Sequence, residues 1–551
     1  MKFYLMTDLH FFSKRNWLAD PYKWIRKPEQ MQARESEEII REAFDMVLAD
    51  NETNTVIIPG DLTSNGERTS HEDLLKIFEE YTAKGLRILV TTSTHDYRQK
   101  IPDAFSAEDL HGAMSFGYDK NYEFKRFIKC VTREELRGMY APYGRANAVS
   151  VHDFSMSYTY DLDDDHRLLA INDDYMTNPE KNHRRGFSKD QYEWIFGQIK
   201  KAKEDGKKLV AVTHHPLLTP SPIYMLIGKN DMLDSNLNVA QAFADAGLNV
   251  IFTGHSHIHD IEYLTTKNGN LLYDISTSAL VGYPPAMRKV EYREDGKVDV
   301  KTIVIQNLSR FDLQGKSLPE YCKESFFGMV KSMIGAMSKD FRTFAIYANS
   351  ISIRYWTTYQ FWWIFKAFGK FVNSLTLGKV HKICKKESGV TQKEIAPIKD
   401  KKVVPIIVGF VEKLFAGNAD IKPDSTEFKI IMGTVAILDD IVRALGVNLK
   451  GLLGYDRLKD VVEPLVYNNG IDDYDALIDP LNAPEAKPSL PEFKSNKGAA
   501  IIIGLILAVL FTLPILLPTG IVLGVLIALR GTKLFNPYKG KNRKILPPTV
   551  D

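Results

Sequence analysis

Cysteine is scarce: three residues in 551, Cys130, Cys322 and Cys384, odd in number and widely spaced. That excludes a disulfide framework and points to a reducing compartment, with buried or idle thiols as the simplest reading. Net charge is nearly absent as well. The balance of 71 basic against 69 acidic residues leaves +2, which removes a whole-chain case for nucleic acid. The N-terminus lacks a basic region followed by an apolar stretch and a cleavage site. Residues 2–6 read instead as the first strand of a domain, and the N-terminal half is expected to stay in the cytoplasm.

Apolar material is ample at 44%, and the length predicts two to four domains. Short apolar runs recur at residues 3–6, 56–58, 88–90, 168–171, 209–212 and 250–252, with helical patterns between them around Ile40 and Phe44, Leu74 and Phe78, and Trp194 and Ile199. This alternation predicts right-handed parallel crossovers, which gather ligands at the carboxyl ends of the strands. Further strands are expected at 271–275 and 298–305, completing a second sheet and closing a catalytic domain at 1–307. The stretch from 97 to about 150 has a weaker pattern and reads as an insertion.

Each buried run stops at a chemically active group: Asp8 and His10, Gly60-Asp61, His95-Asp96, His214, and Gly254-His255-Ser256-His257. Two Asp and up to five His form a nitrogen and oxygen set suited to first-row divalent metals. Any one of these motifs alone is more often a turn or a core residue; five in order, each after a strand, are specific.

In order and spacing the motifs D-L-H at 8–10, G-D-L-T at 60–63, T-H-D at 94–96, H-H-P at 214–216 and G-H-S-H at 254–257 resemble those of the calcineurin-like metallophosphoesterases. The resemblance implies a four-layer αββα sandwich of two mixed sheets. It implies two divalent transition metals, Mn, Fe or Zn, about 3.5 to 4 Å apart and bridged by one carboxylate. Asp8, His10, Asp61 and His257 would hold the first ion; Asp61, His214 and His255 would hold the second, with a contribution from Thr94. A bridging hydroxide would attack phosphorus in a phosphate mono- or diester. His95 would protonate the leaving oxygen or stabilise the transition state, with Asp96 orienting its ring. Thr94 departs from the family pattern, which usually has Asn there; a neutral hydroxyl is the poorer ligand. That departure motivates an alternative reading, a phosphatase-derived scaffold or interaction protein with an impaired second metal site.

Neighbouring residues are weighed on the same terms. Arg98 is a candidate phosphate clamp, against an ordinary exposed arginine. His215 is a substrate contact or a structural ring behind Pro216. His259 is expected to be exposed, and Asp173 and Asp174 to make structural hydrogen bonds at the end of a strand.

Beyond the catalytic domain the texture turns helical over 318–467. Residues 355–364 hold Trp356, Trp362 and Trp363, followed by Lys366, Lys370, Lys379, Lys382, Lys385 and Lys386. This is either a helical core with a solvated basic face or an aromatic and basic stretch facing membrane lipids over 355–386. Residues 468–497 read as a linker. Residues 498–529 carry no charge, are interrupted by Pro514, Pro518 and Gly520, and are flanked by basic residues on both sides. They predict a dipping membrane hairpin, or one kinked span, followed by a basic cytoplasmic tail at 530–551. The expected whole is a membrane-associated phosphoesterase with its catalytic domain in the cytoplasm, acting on a phosphate ester, with a lipid-linked one among the candidates, and with no nucleic-acid partner.

Overall fold

Successive residues of the first strand face opposite ways: Phe3 and Leu5 enter one apolar cluster, Tyr4 and Met6 another. Val56 and Ile57 divide in the same way, as do Leu168 and Leu169. A strand buried on both faces has no polar side, which is why the sequence shows unbroken apolar runs instead of alternation.

The structure is a computed structural model and describes residues 1–16, 30–97, 131–174, 185–219, 232–350, 355–418, 424–444, 446, 448–450, 455–466 and 470–484. In chain order the first part comprises β1 (Lys2–Leu5), α1 (Ser36–Asp50), β2 (Thr55–Pro59), α2 (Arg68–Ala83), β3 (Arg87–Thr91), α3 (Arg133–Met139), β4 (Ser150–Val151), β5 (Tyr158–Asp161) and β6 (His166–Ala170). It continues with α4 (Lys189–Glu204), β7 (Lys208–Val212), α5 (Asn236–Ala246), β8 (Val250–Thr253), β9 (Asp260–Thr265), β10 (Leu271–Ser276), β11 (Ala286–Tyr292) and β12 (Val298–Val304). The helical region holds α6 (Leu318–Lys339), α7 (Phe341–Ser350), α8 (Tyr355–Gln360), α9 (Trp362–Ser374), α10 (Leu377–Ser388), α11 (Gln392–Ile395), α12 (Val403–Ala416), α13 (Thr426–Ala444) and α14 (Leu458–Val466). A last strand, β13 (Asp475–Ile478), follows it.

Two mixed sheets result. One runs β13-β12-β11-β1-β2-β3 and the other β4-β5-β6-β7-β8-β10-β9. Phe3, Leu5 and Ile57 from the first meet Leu168, Val210, Val212 and Phe252 from the second in a shared core. The outer face of the first sheet is covered by Ile40, Phe44, Leu74 and Phe78 of α1 and α2. That of the second is covered by Tyr192, Ile195, Val239 and Phe243 of α4 and α5. β1, β2 and β3 are mutually parallel, as are β6, β7, β8 and β10, so the ends carrying the motifs lie along one edge.

Two expectations need correction. The strand expected at 298–305 to complete the second sheet is β12, which pairs with β11 in the first. The catalytic domain also does not end at 307, because β13, inside the stretch read as a linker, pairs antiparallel with β12 from Val298↔Ile478 to Lys301↔Asp475. Four residues in an acidic, proline-rich context carry too little apolar signal to announce a strand; the partner edge supplies it. The helical region is therefore inserted between two neighbouring strands of one sheet. Within it α10 packs on α13 and α6 on α9. Among the described residues no helix is long and apolar enough to cross a membrane. The hairpin expected at 498–529, the tail at 530–551 and Arg98 lie outside the described residues.

Candidate metal centre

The backbone marks the site before the side chains do. Among the described residues nine non-glycine residues have positive φ, and five of them are Asp8 (55°), His10 (36°), Asp61 (49°), His255 (61°) and His257 (57°). Left-handed backbone outside glycine is disfavoured, and it persists where the surroundings over-determine it, commonly at functional sites. Here it turns each chain sharply at a strand end so that the side chain points back along the sheet edge. The turns are packed tightly: a Cβ on Gly254 would lie 2.1 Å from Thr7 Oγ1 and 2.5 Å from Asp8 Oδ2, so only glycine fits.

Donor atoms converge in three groups, Asp8 with His10 and His257, His10 with Asp61 and His95, and Asp61 with His214 and His255. Asp8 Oδ1 lies 3.6 Å from His10 Nε2, 3.3 Å from His257 Nε2 and 3.7 Å from His214 Nε2. Asp61 Oδ2 lies 3.0 Å from His214 Nε2, and 3.9 Å from both His10 Nε2 and His255 Nδ1. The imidazole nitrogens are close too, at 3.2 Å for His10 and His257 and 3.1 Å for His214 and His255. Two nitrogens each about 2.1 Å from one ion would sit roughly 3.0 to 3.4 Å apart.

Each carboxylate is half used. Asp8 Oδ2 accepts the Thr7 hydroxyl at 2.7 Å and the His255 N–H at 3.0 Å, while Oδ1 is buried with no hydrogen-bond partner. Asp61 Oδ1 accepts the His95 N–H at 3.0 Å, leaving Oδ2 for the cluster. His214 Nδ1 donates to the Pro59 carbonyl at 3.0 Å, which directs Nε2 at Asp61. Burial would raise both carboxyls, yet His214 outweighs it, aided by His257 for Asp8 and by His95 for Asp61, and both lie well below their ordinary values. Burial opposes charge on His214 likewise, but Asp61 and Asp8 push its pKa up to about 10. A cluster that draws a proton onto a buried imidazole is built for positive charge. The orphaned carboxylate oxygen, the nitrogen spacing and the mixed N/O set fit divalent ions at this place.

The structure brings together Asp8, His10, Asp61, His95, His214, His255 and His257. Thr94 is buried, one residue from the His95 N–H that holds Asp61. Three readings of neighbours change. Asp96 does not orient the His95 ring: its oxygens accept the Thr63 N–H at 3.0 Å and the Ser93 N–H at 2.8 Å. The ring is held through Nδ1, which donates to the Ser64 carbonyl at 2.5 Å. His215 is 0% exposed and cannot touch substrate; its ring lies tilted against that of His255 with centroids 4.0 Å apart. His259 is also 0% exposed, because its N–H donates to the Phe415 carbonyl at 3.0 Å and Nε2 pairs with Thr302 Oγ1 at 2.8 Å.

Supports for the cluster lie one layer back. Asp173, expected to be structural, accepts from the His214 N–H, the His215 N–H, His215 Nδ1 and the Thr213 hydroxyl. Asp274, in the middle of an apolar strand, accepts the Leu217 and Leu218 N–H groups and the Thr253 hydroxyl. A carboxylate inside an apolar run is itself a signal, since it is tolerated only when several donors meet it. Asp174 pairs with Tyr97 Oη at 2.6 Å and Arg133 at 2.9 Å.

No curated protein matches the chain. Among solved structures, a dimetal phosphatase from Danio rerio is 14% identical and aligns over 55% of this chain and 95% of its own, with a TM-score of 0.37. A purple acid phosphatase from yellow lupin (Lupinus luteus) is 11% identical over 55% of this chain and 51% of its own, TM-score 0.31. The NAD nucleotidase of Haemophilus influenzae is 11% identical over 69% and 61%, TM-score 0.29. Residues 1–259 match the calcineurin-like phosphoesterase family. That part of the chain is similar to the metal-dependent hydrolases of phosphate esters in this family.

Proposed function

We propose that the protein hydrolyses a phosphate mono- or diester at a pair of divalent ions of the first transition row, with Asp61 shared between them. The observation that carries this is the position of Asp61 in two of the three donor groups, between His10 on one side and His214 and His255 on the other. When bound, such ions neutralise phosphoryl oxygens and bring the pKa of water close to 7. The protein's own groups do the rest. Asp8, His10 and His257 fix one flank of the cluster and His214 and His255 the other. His95, with Nδ1 tied to Ser64, keeps Nε2 for the proton that the leaving oxygen needs.

The scaffold reading with a decayed second site rests on Thr94. Against it stands the second donor group, which keeps Asp61, His214 and His255. Attachment to a membrane with the catalytic domain in the cytoplasm is part of the proposal, supported by the uncharged residues 498–529 and their basic flanks. A lipid-linked ester is the substrate such an arrangement favours.

The test is metal analysis of the isolated full chain beside a panel of aryl mono-, di- and cyclic phosphate esters with Mn, Fe, Zn and Mg. About two ions per chain and metal-dependent turnover are expected; absence of both under every ion overturns the reading. For topology, the C-terminal tail in sealed vesicles should share the protease accessibility of the catalytic domain.

A further inference from the structure

Helix α9 has an inner face that is closely fixed. A Cβ on its Gly369 would lie 2.8 Å from Met337 Cγ of α6, so the two helices approach to glycine distance. Asn373 Nδ2 donates to the Ile334 carbonyl of α6 at 3.1 Å, and the Phe365 ring packs on Phe344 of α7 with centroids 5.3 Å apart. The outer face is therefore set by the fold and not by side-chain wandering. At 100° per residue it carries Trp363, Ala367 and Phe371, bordered by Phe368 and Lys370. Phe368 and Phe371 are 50% and 56% exposed, and Trp362 is 48% exposed with Lys366 Nζ 5.7 Å from its ring.

An apolar outward face on a surface helix costs free energy unless something covers it. The charge around it says what. Residues 341–386 contain eight Lys or Arg and no Asp or Glu. Helix α10 continues the pattern with exposed Lys379, Lys382 and Lys386 around Ile383, itself 50% exposed. Aromatic rings with lysines at their margin, in a stretch of sequence without acid, match the headgroup region of an anionic bilayer, where rings enter the acyl boundary and ammonium groups meet phosphate.

We propose that the outer face of α9 docks on an anionic lipid surface, with Trp363, Phe368 and Phe371 entering the interface and Lys366 and Lys370 at the headgroups. The contact does not depend on residues 498–529 and lies outside the metal cluster.

The full chain is reconstituted with phosphatidylcholine vesicles containing or lacking phosphatidylglycerol, with brominated acyl chains, and indole emission is compared with that of Trp362→Phe/Trp363→Phe. Four other tryptophans of the six remain, so the difference reports these two rings. Bromolipid should quench that difference emission, more with anionic lipid. Lys366→Gln and Lys370→Gln should each reduce lipid contact about fivefold. Quenching that is equal in wild type and double variant, or indifferent to anionic lipid, overturns the proposal. So does difference emission shielded from bromolipid and aqueous iodide alike, the signature of cover by a second copy or another part of the chain. Aryl phosphate turnover should be unchanged in these variants, so failure here is distinguishable from failure of the catalytic reading.

Discussion

The backbone N–H of His255 donates to Asp8 Oδ2 at 3.0 Å, joining two strand-end turns 247 residues apart in sequence. One carboxylate thus both positions the second histidine pair and presents Oδ1 to the cluster. Because changes to groups that merely support a metal ligand cost about 10- to 100-fold, loss of a shared ligand should exceed that range. Asp61→Ala should lower aryl phosphate turnover by more than about 100-fold and bring bound metal, measured by plasma mass spectrometry, below one ion per chain. Turnover within tenfold of wild type would remove Asp61 from the bridging role.

His95 and Asp96 are adjacent yet separable. His95→Ala should reduce kcat by roughly 10²- to 10⁴-fold, the range of a lost proton donor, with metal content intact. Asp96→Ala instead strips the acceptor from two buried N–H groups and should cost about 2–4 kcal/mol of stability, read by urea unfolding. If Asp96→Asn folds normally and matches His95→Ala in kcat, the Ser64 carbonyl is not what orients the ring.

Asp173 gathers four donors behind His214 and His215. Burial would raise its carboxyl, but the His215 ring in contact with it prevails and holds it below its ordinary value. Asp173→Asn preserves shape and loses charge, and should weaken metal affinity about 10- to 100-fold. Competition with a chelator measures this, and unchanged affinity would confine Asp173 to folding.

Thr94→Asn restores an amide where the family pattern has one. In a working enzyme the change in turnover should stay within about tenfold, the lower end of effects near a metal. A rise of several orders from near zero would favour the scaffold reading.

Asp473 ties β9, the strand that follows the turn of His255 and His257, to the helical insertion. Its Oδ1 accepts the Ile261 N–H at 2.9 Å and its Oδ2 the Asn418 N–H at 2.6 Å, just past the end of α12, while its carbonyl accepts from buried Arg288 at 2.7 Å. Asp473→Ala should destabilise the protein by about 2–4 kcal/mol and weaken metal retention, as chelator-induced loss would show. Normal retention would make the tie purely structural.

The donor cluster was legible in the sequence because each member follows a buried strand, where apolar residues stop and Asp or His begins. What escaped was made by distant partners. The Ser64 carbonyl that holds His95 is backbone and leaves no mark in residue type. His259 is held inside by partners distant in sequence, the Phe415 carbonyl, the Thr302 hydroxyl and the Tyr474 ring. The strand at 475–478 owes its form to the open edge of β12, and Asp96, beside the histidine it was expected to orient, is drawn instead to two amide groups.

That last strand bears on the birth of the chain. At the ribosome β12 is complete about 170 residues before β13 emerges, an interval of roughly 10–30 s at ordinary elongation rates. Throughout it the edge of β12 is an unpaired template for strands of other chains. The helical insertion is made in the interval, and a chain cut before residue 475 would keep every donor of the metal cluster yet leave that edge of the sheet open to aggregation.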